Sequence, residues 1–208
     1  HEDLIVCSAC IAGEVPRKIL KGDIAGAREA CEWYHRVFGD DYYLELQRHE
    51  VTDPSVLANR EAFPMQQRAN KVLIEMSKEY GIKLVCTNDC HFEDKETAEA
   101  HDHLLCLATG KDLDDPNRMR YSKQEWFKTR EEMNAIFSDV PEALSNTLEV
   151  LDKVEVYSID HGPIMPFFPI PESFGTEEQL RERVSEEELY HEFTTDENGQ
   201  NPLSPEEG

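Results

Sequence analysis

Three short apolar runs separated by long amphipathic stretches constrain this fold more than any other feature. The runs are Leu4-Ile5-Val6-Cys7, Tyr42-Tyr43-Leu44-Glu45-Leu46 and Ile82 to Cys86. Each is strand-length and rich in β-branched, aromatic or thiol side chains. After the first run, Gly13 and Pro16 break the chain. Asp23 can then cap a helix from Ile24 to Phe38, with Ala27, Ala30, Tyr34 and Phe38 on one face and Gly39-Asp40 at its end. A longer helix, Phe63 to Tyr80, carries Val72, Leu73, Met76 and Tyr80 on one face and stops at Gly81. The order β, α, β, α, β predicts parallel strands joined by helical crossovers.

Further along, the pattern predicts helices over Glu96 to Ala108, Glu131 to Phe137 and Pro141 to Leu151, then a last strand at Val154 to Tyr157. Pro163, Pro166, Pro169 and Pro171 punctuate an apolar stretch that no interior strand tolerates. Beyond Thr176 one helix, Glu177 to about Phe193, is expected, followed by a turn and a disordered tail.

Charge narrows the function. The 208-residue chain carries a formal net charge of −23. From Glu172 to Gly208, twelve acids face only Arg181 and Arg183, a net of −10. Such a balance argues against a segment that grips a nucleic-acid backbone by itself. A small basic and aromatic patch, Arg118, Arg120 and Lys123 beside Tyr121 and Trp126, reads as a solvated face. Six scattered cysteines suggest a reducing compartment, and Cys7 and Cys10 lack the second pair of a zinc ribbon. No apolar stretch reaches membrane-span length and no signal peptide is visible, so the expectation is a soluble, cytoplasmic protein. The first residue is His1, which reads as a piece cut from something longer.

Candidate chemistry collects just after the apolar runs. The third is followed by Thr87-Asn88-Asp89-Cys90-His91. On an extended strand end, Asp89 and His91 would project to one side as a carboxylate and imidazole pair for a divalent metal. The competing reading is a turn in which Asn88 and Asp89 bond their own backbone and His91 is solvated. The first run leads to Cys10 with Glu14 nearby; the second contains Glu45 and is followed by His49. Each has a bland alternative: a buried thiol for Cys10, an outward carboxylate for Glu45, a surface imidazole between Arg48 and Glu50 for His49. His101 and His103 read as core-edge or capping residues of their helix. Carboxyl ends of parallel strands are the functional face of α/β folds, which ties the candidates together. No phosphate-cradling glycine loop and no nucleophile elbow is present.

These residues carry a resemblance. Leu4 to Cys10, Gly13-Glu14, Tyr43 to Gln47, Thr87 to Phe92, Ala100 to Asp102, Thr109 to Pro116 and Pro141 to Thr147 together resemble the polymerase and histidinol phosphatase (PHP) domain of bacterial DNA polymerase III alpha subunits. The stretch from Phe168 resembles the start of the adjoining polymerase module. The resemblance implies an α/β fold of a distorted (β/α)7 barrel type, lacking its first strands and bearing a short C-terminal extension. It implies residues 1–168 as the C-terminal two-thirds of a PHP domain and 169–208 as the start of the polymerase module. Cys10, Asp89 and His91 match family metal positions, with Glu45 and His49 in the neighbouring segment; Asp89 and His91 carry the implied chemistry. The implied cofactor is a divalent metal (Zn, Mn or Mg) at a 3′–5′ exonuclease or phosphoesterase site. Implied partners are the remainder of the alpha subunit, DNA through the full-length protein, a proofreading exonuclease subunit and a sliding clamp, with no membrane. The family's opening His-x-His, its next His and Glu, and the polymerase aspartates are not in this sequence, so the implied cluster is half built here. The remaining alternatives are a metal-free scaffold and a stand-alone histidinol-phosphatase-like phosphoesterase.

Overall fold

The computed structural model describes residues 3–169, 171–185 and 187–188. The chain divides into two compact units, His1–Val156 and Tyr157–Gly208. In the first, strands β1 (Val6–Cys7), β2 (Tyr42–Leu46) and β3 (Leu84–Cys86) form a parallel sheet in the order β1-β2-β3. The register pairs Val6 with Tyr42 and Leu44 with Leu84. Between the strands run α1 (Glu14–Leu20), α2 (Ile24–Phe38) and α3 (Ala62–Tyr80). After β3 come α4 (Ala98–Thr109), α5 (Arg130–Ile136) and α6 (Pro141–Lys153). The expected alternation is therefore present, and the described residues hold three strands.

Local chemistry sets these boundaries. The Asp23 carboxylate accepts from the Gly26 N–H at 2.9 Å and starts α2. Gly81 and Gly110 end α3 and α4 in the left-handed region that glycine tolerates. Thr129 and Glu132 cap α5 reciprocally, and Pro141 opens α6.

The core lies against one face of β2. Tyr42, Leu44 and Leu46 alternate along the strand and pack with Ala27 and Cys31 of α2 and Leu73 and Met76 of α3. Phe137 and Ala143 close the cluster from the α5 and α6 side. The opposite face is covered too: Tyr43 is fully buried and its hydroxyl donates to Glu149 of α6 at 2.6 Å. Burial on both faces is what parallel strands require.

Three expectations are corrected. Pro16 does not break the chain; it occupies the first turn of α1, where its missing N–H has no intrahelical partner to lose. Val154–Tyr157 forms no strand. Helix α6 continues to Lys153, whose ammonium bonds Asp41 at 2.9 Å, and the backbone then runs on without a strand partner among the described residues. In the second unit, α7 spans only Glu177–Arg183, because Val184 is extended. Ser185 then caps anew: its hydroxyl accepts from the Glu188 N–H at 3.2 Å, and the Glu188 carboxylate accepts from the Ser185 N–H at 2.9 Å. The remainder of that expected helix and the expected disordered tail lie outside the described residues.

Leu73 is 1% exposed and joins α3 to the sheet. Leu73→Ala should cost ~2–5 kcal/mol in equilibrium denaturation, with the transition still cooperative.

Candidate functional site at the carboxyl end of the sheet

The three strands deliver their following loops to one end of the sheet, as parallel topology dictates. After β1, Ala9 turns the chain at φ +62° and the Gly13 N–H closes onto the Cys10 carbonyl at 2.8 Å. Gly13 is required there: a Cβ would lie 2.2 Å from the Ser8 carbonyl oxygen. This tight turn leaves Cys10 half-buried, lining with Glu45 and Gln47 a cavity of only about 10 Å³. That volume holds one water at most.

Glu45 points inward, not out to solvent. Its carboxylate accepts from the Thr87 hydroxyl and from Gln47 Nε2 at 3.2 Å, while its N–H donates to Ser8 Oγ at 2.9 Å. One polar network thus crosses the ends of β1, β2 and β3. Burial and the Glu45 carboxylate push the Cys7 thiol up to about 11, so this cysteine stays a protonated core residue.

His49 is 3% exposed, against the expectation of a surface imidazole. The Gln66 amide explains it. Gln66 Oε1 accepts the His49 backbone N–H at 2.8 Å, which turns Gln66 Nε2 toward His49 Nδ1 at 3.1 Å. His49 Nε2 lies 3.0 Å from the Asn88 carbonyl oxygen and must donate to it. Both ring nitrogens are committed, and the imidazole is the neutral Nε2-protonated tautomer. Glu125 Oε1 is 3.7 Å from Nδ1, but it already accepts the N–H and O–H of Ser122. Burial accordingly holds the His49 pKa below the ordinary histidine range, outweighing Glu125.

The Thr87 to His91 loop is neither of the two arrangements expected for it. Asn88 does not bond its own neighbours. It is buried, and its Nδ2 donates to the Gln124 and Trp126 carbonyls at 2.9 and 2.7 Å. The His91 N–H donates to the Glu125 carbonyl at 2.7 Å, and Phe92 bridges Trp126 in parallel. Residues 124–127 therefore run beside the loop like a further short strand. Asp89 is not extended either; its φ is +49°, a left-handed conformation that aspartate tolerates better than most residues. The pairing of Asp89 and His91 comes from this turn. His91 Nδ1 donates to the Asp89 carbonyl at 2.7 Å, and the Asp89 carboxylate lies 3.9 Å from the same nitrogen. Nε2 of His91 keeps its lone pair. Both residues are exposed.

Around His91 stands an aromatic group that sequence reasoning undervalued. The ring centroid of His91 is 4.5 Å from that of Tyr121 and 5.7 Å from that of His101. His101 also packs on Phe92 and Tyr121, each at 5.2 Å. Its pKa is held below the ordinary value by burial first and then by His91. The Tyr121 phenol is raised by burial, then by Asp89, Glu125 and Cys10, so Cys10 and Asp89 lie within electrostatic reach of one ring. His103, by contrast, is exposed and turned back to the Glu99 carbonyl.

The basic and aromatic patch is not a solvated face. Arg118 makes a buried bidentate pair with Asp102 at 2.6 and 2.7 Å, Arg120 bonds the Asp115 carbonyl at 3.0 Å, and Lys123 pairs with Glu99. Lys128, 3.4 Å from the Trp126 ring centroid, is pushed down to about 8 by burial.

Cys10, Glu45, His49, Asp89 and His91 thus all lie at this end of the sheet, but they do not converge. No three His, Cys, Asp or Glu side chains among the described residues are placed to hold one metal ion. Asp89 and His91 offer free donors; Glu45 and His49 are spent on internal hydrogen bonds. Residues Gln66, Asn88, Tyr121 and Glu125 do the positioning, and only Asn88, inside the pentapeptide, had a local signal.

Comparison with known proteins follows the same outline. Residues 1–49, through β2 and His49, match the PHP domain model. Over 190 residues the chain is 37% identical to DNA polymerase III subunit alpha of Borreliella burgdorferi, covering 90% of this chain and 16% of that protein. The same protein of Campylobacter jejuni is 36% identical over 86% of the chain, and that of Treponema pallidum 32% over 92%. The chain is similar to one stretch of DNA polymerase III subunit alpha. It spans about 15–16% of the length of these relatives. The similarity to the polymerase subunit reaches well past the part that matches the PHP model, through β3, the His91 loop and α6. Among the described residues no helix is long and apolar enough to cross a membrane.

The pH dependence of stability checks the assignment of His49. Its folded pKa is depressed, so its contribution is complete above the unfolded value of about 6.5 and is lost as pH falls through that value toward the folded one. Urea midpoints should drop as pH is lowered from 7.5 to 5.5. His49→Gln should flatten that segment of the curve; an unchanged slope would mean that other groups titrate there.

Proposed function

We propose that this chain serves as the PHP-domain portion of a replicative DNA polymerase III alpha subunit, a cytoplasmic DNA-directed DNA polymerase acting in replication. The observation that carries the reading is similarity to that subunit at 32–37% identity over 86–92% of the chain. In this reading β1 to β3 are three strands of a seven-stranded β/α barrel. Residues 1–168 belong to the PHP domain and 169–208 begin the polymerase module. The remainder of the subunit is its covalent partner, and DNA is met through the full-length protein.

The site within it is a metal-assisted phosphoesterase site of reduced donor set. The residues present fit a divalent cation (Zn, Mn or Mg) in part. His91 offers Nε2, oriented by the Nδ1 bond to the Asp89 carbonyl, which is how ligating imidazoles are held. The Asp89 carboxylate is exposed and Cys10 is partly accessible. Glu45 and His49 do not fit as ligands while Thr87, Gln47, Gln66 and Asn88 hold them. A bound cation supplies Lewis acidity and a water of lowered pKa. The chain's own residues orient it: Tyr121 fixes the face of His91, and the Asn88 amide fixes the loop. This is the 3′–5′ exonuclease type of chemistry, with Asp89 and His91 as its central residues.

A scaffold role is supported by a different feature. A cleft of about 760 Å³ lies between α3 and α5, floored by Phe63, Ile74 and Ile136 and edged by Arg48, Lys71 and Asp139. Arg48 is paired with Asp139 at 2.6 Å, so the cleft is nearly charge-neutral and suits a protein partner, such as a proofreading exonuclease subunit, better than phosphate. The sliding clamp is a partner of the whole subunit in this reading.

Elemental analysis after dialysis against Zn²⁺ or Mn²⁺, with cleavage of a mismatched primer 3′ end, separates the two. The phosphoesterase reading expects bound metal and cleavage that Asp89→Ala reduces at least tenfold. Absence of both bound metal and cleavage would leave the scaffold reading alone, and cleavage indifferent to Asp89→Ala would remove Asp89 from the site.

A further inference from the structure

We propose that His101 of α4 joins His91 in a two-imidazole clamp for a single divalent transition-metal ion, a site that the sequence pattern assigned to helix packing. The inference rests on the metal reading above and extends it to a residue outside the resemblance's implied ligand set. The geometry carries it. The two ring centroids are 5.7 Å apart and the rings are inclined at 58°. With Zn–N bonds of about 2.0–2.1 Å and a ring radius on the order of 1.2 Å, two imidazoles on one tetrahedral ion have centroids about 5–6 Å apart. The rings therefore already stand at a shared-ligand spacing.

Their nitrogens are available. His91 uses only Nδ1, on the Asp89 carbonyl, and keeps Nε2. Neither ring nitrogen of His101 has a hydrogen-bond partner among the described residues, although the residue is partly withdrawn from solvent. Tyr121 touches both rings, at 4.5 and 5.2 Å, and limits their rotation. A helical residue and a loop residue, ten positions apart, are thus held side by side, inclined at 58°, by a third ring. No third donor converges, and the Asp89 carboxylate lies 3.9 Å from His91 Nδ1 rather than at Nε2. Asp89 therefore stands beside the ion and not among its ligands, and the clamp leaves coordination positions for water or for an oxygen of a phosphate group. Imidazole pairs of this kind favour Zn²⁺, Co²⁺ or Ni²⁺ over Mg²⁺.

The test is calorimetric titration of the chain with Zn²⁺ and, separately, Co²⁺, reading the visible spectrum of the Co²⁺ form. His101→Phe is the deciding variant: it keeps a ring among Phe92, Tyr121 and His91 and removes the nitrogens. Its melting temperature, measured alongside, confirms the fold, and His101→Gln is the second variant if the phenyl ring disturbs it. The expected result is one ion per chain, with affinity reduced at least tenfold by His101→Phe and by His91→Phe, and a double variant little worse than either. Loss with His91→Phe but not with His101→Phe would overturn the clamp and leave the metal reading intact. Absence of binding in the parent chain, or binding indifferent to both variants, would overturn both.

Discussion

A single buried amide organises the carboxyl end of this sheet. Asn88 donates both of its side-chain hydrogens, to the Gln124 and Trp126 carbonyls, and its backbone carbonyl accepts from His49. Three loops that are far apart in sequence are thereby locked together: the one after β2, the one after β3 and the 124–127 segment. The geometry of His91 follows, because its N–H bonds Glu125 within the same segment. Lys128 Nζ also donates to the Gln124 carbonyl, so loss of the amide leaves chiefly the Trp126 carbonyl without its donor, at ~1–3 kcal/mol, and a side chain of similar size cannot replace it at no cost.

The same polar economy decides which candidate residues are free for chemistry. A carboxylate or imidazole already satisfied inside the protein must lose those bonds before it can ligate anything. Glu45, with Thr87 and Gln47, and His49, with Gln66 and Asn88, are in that position. Asp89 and His91 are not, since the left-handed turn at Asp89 spends only a backbone carbonyl on the His91 ring. What remains is an exposed imidazole edge beside an aromatic cluster, which is a modest site built on a well-packed scaffold.

The sheet and its helices were legible because burial of both strand faces imposes continuous apolar runs, and because Asp23, Gly81 and Pro141 mark helix ends by local chemistry. Helix α1 was not, because Pro16 signals a break unless its position in the first turn is known. The burial of His49 was hidden for a different reason. It depends on Gln66 and Asn88, 17 and 39 positions away, and no local pattern encodes those partners. The backbone turn at Asp89 was likewise invisible, since aspartate tolerates the left-handed conformation without requiring it. His101 was read as a packing residue from its apolar helix face, and its nearness to His91 emerges only from how α4 returns over the loop.

The most direct measurement replaces the organising amide. Asn88→Asp keeps the size of the side chain and turns its two donors into an acceptor facing two carbonyls. The account predicts a loss of ~1–3 kcal/mol in chemical denaturation, from the unmet Trp126 carbonyl and repulsion, together with markedly faster amide hydrogen exchange at His91 and Phe127. Unchanged stability and unchanged exchange at those two amides would contradict the central role given to Asn88.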